Sequence, residues 1–405
     1  MFSKVAYNTF FYIVLTFILY LMFIQVNDVL SISYKEALNY FENFSVLTLL
    51  TKISTTFFGQ NDLALRLPFV IFYFLSVILM YKIIEDFFKS PKDRFITILV
   101  FMFLPGLLSA AILVNSAIVV TFFTLVYIYY YKTYNKHLYY LLPFLLLVDN
   151  SFAILFVALF LYSFRDSDKK LMSISLALAI ISFFVYEFTV EGTPKGFLLD
   201  TFGIYAAIFS PILFLYFLYA IYRTAVNKRV DLIWYISATA LVLSIILSFR
   251  QKVYIEDFAP FVVIFVPSMM VIFFHAYRVR LKEFRRNYNI FAYFVLFFLF
   301  LNVLFTFVNK PLYLILDKPT KHFANEYHFA KELANELKSR GVENIVTSDK
   351  ILALRLRFYK IGDKEDYFLS SHEFYNYDEK IVITYFGKEM LTFYLKKLWR
   401  SHFLF

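Results

Sequence analysis

Long apolar runs separated by short polar stretches dominate the pattern of this chain. A helix that crosses a membrane needs about 20 consecutive, mostly apolar residues. On this basis the pattern predicts an all-α polytopic membrane protein with about 11 transmembrane helices, some of them short. The predicted spans are residues 5–26, 63–84, 95–113, 116–131, 138–148, 150–164, 171–187, 203–222, 230–249, 258–277 and 288–308.

Two boundaries between these spans fall at polar residues inside apolar sequence. The third and fourth spans meet at Asn115 and Ser116, and the fifth and sixth meet at Asp149 and Asn150. The fifth and sixth spans are compatible with two short helices or with one broken pair inside a bundle. Backbone breaks at membrane depth persist only where protein or a water-filled cavity surrounds them.

The lysines and arginines between the spans predict the orientation of the chain. With the N-terminus in the cytoplasm, the inner segments hold 17 basic residues, and the outer segments before residue 309 hold 6. Basic residues concentrate in cytoplasmic loops. The sequence therefore predicts a multi-pass protein of the cell inner membrane, with a cytoplasmic N-terminus and a periplasmic C-terminus.

The first outer loop, residues 27–62, is unusually long. Its stretch 34–58 is helix-compatible and only moderately apolar, which predicts helices lying at the membrane surface. Such a loop is a place where a lipid-linked substrate could meet a water-soluble one.

The apolar runs end at about residue 309, and the pattern changes. It then predicts a helix at 325–340, a strand at 344–347, a helix at 350–359, a strand at 381–386 and a closing helix at 388–398. Alternating helices and strands are typical of a small α/β domain. We expect a transmembrane domain over residues 1–311, with the long first periplasmic loop in it, and a periplasmic α/β domain over residues 312–405.

Composition supports the membrane assignment. Apolar residues make up 61% of the chain, aromatic residues 22% and charged residues 17%, against about 25% charged residues in soluble proteins. These values exclude a disordered chain and a typical cytosolic enzyme. The inner loops account for much of the net charge of +10, so we expect no nucleic-acid partner.

Several kinds of cofactor site are also disfavoured. The chain has 8 Gly and no Cys, and it contains neither GxGxxG nor GxxxxGK[ST]. Its 6 His do not show the spacing of a metal site. We therefore expect no cofactor and no metal.

Four segments, in order along the chain, resemble membrane glycosyltransferases of the GT-C type. Residues 34–37 (YKEA) are similar to the family's DEA element after the first span. Residues 51–59 (TKISTTFFG) are similar to its apolar helix ending in Phe-Gly, and residues 61–68 (NDLALRLP) to its FALRLP segment. Residues 248–254 (SFRQKVY), with prolines following, resemble the basic segment that begins a late span.

The family comprises glycosyltransferase family 39, the protein mannosyltransferase-like enzymes and the aminoarabinose transferase-like enzymes. The resemblance covers most of the chain in order and topology. It implies a membrane glycosyltransferase that moves a sugar from a polyprenyl-phosphate carrier to an envelope glycan, lipid or protein acceptor on the periplasmic face. Lys35 stands where the family usually has its catalytic Asp, so Glu36 or Asp28 would take that role.

Sugar transfer from a polyprenyl phosphate requires a base for the proton of the acceptor and cations for the departing phosphate. One carboxylate suffices for an inverting displacement, whereas a retaining hydrolase uses two. Glu36 is the first candidate base, and its alternative role is that of a solvated residue on an interfacial helix. Asp28 is the second candidate, and its alternative role is that of a helix-end residue.

Arg250 and Lys252 are the candidate phosphate ligands, at the outer start of the tenth span. Arginine binds phosphate with a bidentate fork and lysine with a point charge. Their alternative role is that of snorkelling anchors at the membrane interface. Tyr254 belongs to the same segment and is predicted to bind substrate with them.

Four further residues complete the predicted substrate-binding set: Glu42, Asn43, Arg66 and Asp149. Glu42 and Asn43 stand where the family has a His-Pro-Pro or Glu-Lys-Pro element, and Glu42 would orient the acceptor or bind a metal. Arg66 would bind substrate, anchor the interface or pair with a loop carboxylate. Asp149 is an ionisable residue at a span break, where such residues are often functional, although a short outer loop would leave it merely solvated.

Two other functions are compatible with the sequence. The first is a transporter or flippase of lipid-linked envelope precursors. Transporters often contain inverted repeats and charges at the membrane midplane, whereas this chain shows no repeat and its candidate charges lie at the outer edge. The second is a catalytically inactive relative acting as an assembly partner, which Lys35 at the acid position favours.

Overall fold

The computed structural model describes residues 4–186 and 196–398. Residue 187, which ends the seventh predicted span, and Lys195, one of the outer basic residues, lie outside these ranges. The helices of the first part are α1 (Lys4–Ile24, continued by a π-helical turn Gln25–Val29), α2 (Tyr34–Phe41), α3 (Val46–Phe58), α4 (Asp62–Glu85), α5 (Pro91–Met102), α6 (Pro105–Ile112), α7 (Ser116–Tyr134), α8 (Leu141–Val148), α9 (Phe152–Asp166) and α10 (Lys169–Val185).

The second part continues with helices and ends in a small sheet. Its helices are α11 (Leu198–Phe209), α12 (Pro211–Val226), α13 (Leu232–Ser248), α14 (Ala259–Val263), α15 (Val266–Val279), α16 (Arg285–Phe307), α17 (Ala330–Ser339) and α18 (Lys350–Phe358). Its strands are β1 (Val346–Thr347), β2 (Tyr367–Ser370), β3 (Glu379–Tyr385) and β4 (Lys388–Lys397). Short 3-10 turns are Ile255–Asp257, Lys282–Phe284, Lys310–Leu314, Pro319–Lys321 and Asn325–Tyr327.

Several helices are long and apolar enough to cross a membrane. Within the described residues there are four: α1 with its π-helical turn, α4, the stretch Ala259–Val279 and the stretch Lys282–Phe307. Two bent pairs, α5 with α6 and α11 with α12, raise the number to six if each pair is one span. The other predicted spans fold as helices that are shorter or less apolar, so the count of eleven stays a prediction.

The predicted span 203–222 does not continue as one helix. The axes of α11 and α12 differ by 104°. Ser210, between them, has φ +77°, which a helix does not tolerate, and Pro211 begins α12 without a backbone N–H to donate. The bend therefore has a local cause in the chain.

Contacts divide the chain into two units. One consists of Met1–Leu19 and Phe69–Thr306, and the other of Tyr20–Pro68 and Phe307–Phe405. Helices α2 and α3, which form as the sequence predicts for stretch 34–58, thus belong with the C-terminal sheet. Within this second unit α2 packs against α18.

The C-terminal sheet has the strand order β1-β2-β4-β3. Strand β1 pairs with β2 in parallel, and β4 pairs antiparallel with both β2 and β3. The apolar face of α17, with Leu333 and Leu337, packs in one core with Ile381 and Leu395 of the sheet. Residues 312–398 therefore contain both helices and a small mixed sheet.

The closing helix predicted at 388–398 is wrong, because these residues form β4. Phe386 and Gly387, with φ of +53° and +79°, make a tight two-residue connection from β3. A hairpin turn with two positive φ values matches the twist of the paired strands. In β4 the buried residues Met390, Phe393 and Leu395 face the core, and pairing with β2, a strand that the pattern did not predict, completes the ladder.

Candidate functional site

Glu36 and Arg66 form a buried ion pair in the second unit. Glu36 lies in the first turn of α2, where its Oε2 accepts a hydrogen bond from the backbone N–H of Ser33 at 2.9 Å. The Ser33 hydroxyl accepts in turn from the Glu36 N–H, which completes a capping box. Arg66 donates from Nε to Oε1 at 2.9 Å and from Nη2 to Oε2 at 2.6 Å. The Arg66 side chain is 0% exposed and that of Glu36 3%.

A second carboxylate, Asp62, extends this ion pair. Its Oδ1 lies 3.8 Å from Arg66 Nη1, one helical turn away on α4. The same oxygen accepts a hydrogen bond of 2.7 Å from the Tyr359 hydroxyl, and Oδ2 lies 3.2 Å from Lys331 Nζ. Asp62 therefore contacts Arg66, Tyr359 and Lys331.

The C-terminal residues of this cluster bind the backbone that precedes α2. The Tyr359 hydroxyl accepts from the N–H of Ile32 at 2.9 Å, and Arg355 Nε donates to the Ile32 carbonyl at 2.8 Å. Burial, reinforced by the charge and hydrogen bond of Asp62, raises the pKa of Tyr359 above its usual range. The phenol therefore remains protonated and keeps its donor.

These contacts make Glu36 one partner of a buried ion pair. Both of its oxygens accept hydrogen bonds from Arg66, which stabilises the ionised carboxylate. Protonating Glu36 would disrupt the neutralisation of a fully buried guanidinium, which is costly. The arrangement suits a residue that holds the start of α2 in position better than one that exchanges a proton. Arg66 pairs with a loop carboxylate, one of the roles considered for it from the sequence.

The other first-loop candidates lie on the surface. Asp28 is exposed in the π-helical turn after α1, and its Oδ1 accepts a hydrogen bond from the Asn27 amide at 2.6 Å. Glu42 and Asn43 are exposed beyond the end of α2, and the Asn43 carbonyl accepts from the Thr48 hydroxyl at 3.1 Å. All three side chains are accessible to a ligand.

The cationic candidates belong to the first unit. Arg250, Lys252 and Tyr254 lie between α13 and the 3-10 turn Ile255–Asp257, and all three side chains are exposed. Among the ion pairs and side-chain hydrogen bonds of the described residues, none involves Arg250 or Lys252. Both charges are therefore available to an anion from solution or from the membrane surface.

Asp257, which is not among the site residues predicted from the sequence, lies just after this basic segment. Burial, followed by the negative charges of Asp149 and Glu256, raises the pKa of Asp257 to about 7. Asp149 itself accepts hydrogen bonds from the backbone and hydroxyl of Ser151. The signal available in the sequence was the adjacent pair Glu256-Asp257 just before Pro260, between the basic segment and a span. A carboxylic acid that titrates near neutral pH is suited to proton transfer.

No cluster of three or more His, Asp or Glu side chains in residues 4–186 and 196–398 is arranged to hold a metal ion. Of the predicted site residues, the structure brings Glu36 and Arg66 together in the second unit. In the first unit it brings the charge of Asp149 close to Asp257.

The comparisons with known proteins yield one structural match. No protein-family model and no curated protein matches the chain. The crystal structure of ArnT from Cupriavidus metallidurans in the apo state is similar over 70% of this chain, with 10% sequence identity and a TM-score of 0.49. This chain spans 62% of the length of that protein. This match assigns neither an activity nor a residue role to this chain.

Proposed function

We propose that this protein is a membrane glycosyltransferase of the GT-C type. It transfers a sugar from a polyprenyl-phosphate carrier to an envelope glycan, lipid or protein acceptor on the periplasmic face of the inner membrane. The observation that carries the proposal is the exposed pair Arg250 and Lys252, which neutralises no carboxylate within the described residues.

The leaving group explains why two cations are needed. As the sugar–phosphate bond breaks, negative charge accumulates on the phosphate, and groups aimed at that charge lower the barrier. Arg250 supplies a bidentate fork and Lys252 a mobile point charge. Tyr254, exposed two residues further on, contacts the sugar in this proposal.

The base is assigned to Asp28 rather than to Glu36. Asp28 is exposed, whereas both oxygens of Glu36 are engaged by Arg66 in a buried site. In this assignment Glu36 and Arg66 are positioning residues that fix the start of α2. Glu42, Asn43 and Asp149 contact the acceptor or the donor sugar.

Binding of undecaprenyl phosphate to the purified protein tests the phosphate site. Arg250→Gln and Lys252→Gln should each weaken binding, because each change removes one positive charge from a site that binds a phosphate. Lys136→Gln, which removes an exposed lysine from a predicted inner loop, is the matched control. Equal affinities for all four proteins would overturn the assignment of Arg250 and Lys252.

One observation favours a second function, that of a catalytically inactive relative. Lys35 occupies the position of the family's usual acid, and the neighbouring Glu36 is held in an ion pair. A single-turnover assay with a polyprenyl-phosphate sugar separates the two functions. Carrier binding that depends on Arg250, without any release of carrier phosphate, would identify the inactive relative.

A further inference from the structure

A cavity of about 630 Å³ lies in the first unit, away from Arg250 and Lys252 in the sequence. It is formed by the end of α12, the start of α13, the second half of α15 and Phe87. Three arginines line it: Arg223, Arg229 and Arg280. His275 and Asn227 add hydrogen-bonding groups to the same wall.

The three arginines lack acidic partners. None of them forms a salt bridge with any carboxylate in the described part of the chain. Arg278 of α15, which is outside the cavity lining, does have an acidic partner, Asp93. Arg280 stacks its guanidinium over the Tyr288 ring at 4.4 Å, which orients the group and leaves its charge uncompensated.

The one acid in the cavity lining has another role. Asp231 caps α13, where its Oδ1 accepts a hydrogen bond of 2.9 Å from the backbone N–H of Trp234. One carboxylate facing three guanidinium groups leaves the cavity with an excess of positive charge. Arginine is the side chain best matched to the geometry of a phosphate.

The remaining wall is apolar and suits a hydrocarbon chain. Phe87, Val271, Ile272 and Val279 line this part of the cavity. A site with a cationic rim and an apolar wall has the chemistry of an amphipathic anion. Arg223 lies in the last turn of α12, and Arg229 and Arg280 lie in loops. The distribution of basic residues predicts that all three are on the cytoplasmic side, where anionic lipids are enriched.

We propose that this cavity binds the phosphate group of an anionic ligand, and that the ligand is a phospholipid of the inner leaflet. The three arginines bind the phosphate of the lipid headgroup, and an acyl chain lies against the apolar wall. A basic cavity between helix ends on the cytoplasmic side is a recognised binding site for anionic headgroups. This site is distinct from the carrier site proposed at Arg250 and Lys252 and does not depend on it.

Lipid binding by the purified full-length chain in neutral detergent tests the proposal. The probes are phosphatidylglycerol, phosphatidylcholine and inorganic phosphate, and the readouts are the thermal unfolding midpoint and the lipid retained in native mass spectrometry. Phosphatidylglycerol should raise the midpoint and remain bound. Arg223→Gln with Arg229→Gln should weaken its binding by about tenfold for each charge-assisted hydrogen bond that the substitutions remove.

Two variants control for charge and folding. Arg286→Gln removes an exposed arginine on the same predicted face but outside the cavity lining, and it should retain wild-type binding. Arg223→Lys with Arg229→Lys keeps the charge, loses the fork, and should bind with intermediate affinity. If the double glutamine variant does not fold, Arg280→Gln is measured in its place.

The outcomes distinguish the sources of the phosphate. A stabilisation by phosphatidylglycerol that the cavity variants lose supports the lipid site. An equal, variant-sensitive stabilisation by inorganic phosphate supports the phosphate site and assigns it to a soluble anion. Equal stabilisation by phosphatidylcholine, or variants that respond as the wild type does, would overturn the proposal.

Discussion

Arg66 binds Glu36 through two parallel hydrogen bonds, 2.9 and 2.6 Å long, although thirty residues separate them in the sequence. The pair joins the second turn of α4 to the first turn of α2. Because Asp62, on the same helix as Arg66, also binds Tyr359, the ion pair belongs to a network that reaches α18 and its C-terminal neighbour. The start of α2 is therefore fixed by Arg66 of α4 and by Arg355 and Tyr359 at the end of α18.

Removing Arg66 should destabilise the protein strongly. Arg66→Ala leaves the carboxylate of Glu36 buried without its counter-ion, and breaking such a pair typically costs about 3–5 kcal/mol. Arg340→Ala is the control, since Arg340 pairs with Glu379 at an exposed site, where such pairs contribute about 0–1 kcal/mol. Chemical unfolding in detergent measures the free energy of unfolding of both variants. A small effect of Arg66→Ala would show that the ion pair of Arg66 and Glu36 does not hold the first outer loop in place.

Asp28→Asn should abolish most of the transfer activity without affecting folding. The change keeps the size of the side chain but removes its basicity, and a general base typically contributes about 10²–10⁴-fold to the rate. The rate of sugar transfer per folded molecule is the measurement, with Lys52→Gln, a change at an exposed residue of the same loop, as the control. Wild-type transfer by Asp28→Asn, with loss in Glu36→Gln at equal folded fraction, would reverse the assignment of base and positioning residue.

The stability of the first unit should fall as the pH rises towards 7. The folded pKa of Asp257 is raised to about 7, above its ordinary value of 3.8, so the folded state binds the proton more tightly than the unfolded state. Stability is then lost between about pH 4 and pH 7 and is constant above that window. Asp257→Asn should remove this dependence, as judged by the thermal unfolding midpoint at pH 5 and pH 8. Asp200→Asn, at an exposed acid, should retain it.

The C-terminus should lie in the periplasm. The excess of basic residues in the predicted inner loops requires this orientation if the number of spans is odd. A reporter fused after Phe405 that is active only in the periplasm should therefore be active, and one that is active only in the cytoplasm should not. The reverse pattern would contradict the eleven-span topology.

Local sequence determined the helices of this protein. Apolar runs and capping residues depend on neighbours within a few positions, so the helical stretches, the two helices of the first outer loop and the α17 face of Leu333 and Leu337 follow from the pattern. Because such patterns report only on neighbours within a few positions, they led to the wrong prediction of a helix at residues 388–398. Met390, Phe393 and Leu395 of β4 are buried because β4 pairs with β2 and β3 in the sheet, and the pattern alone was compatible with a helix.

The charged residues acquired their roles only in the tertiary structure. The sequence offered Glu36 as a base and Arg66 as a substrate ligand, an anchor or a partner of a loop carboxylate, and long-range packing joined the two in a buried ion pair. The sequence placed Glu256 next to Asp257, but it did not show that burial and the charge of Asp149 would also raise the pKa of Asp257, or that three arginines would line one cavity. Electrostatic interactions and desolvation depend on which residues are close in space. Local sequence does not determine the distance between residues that are far apart in the chain.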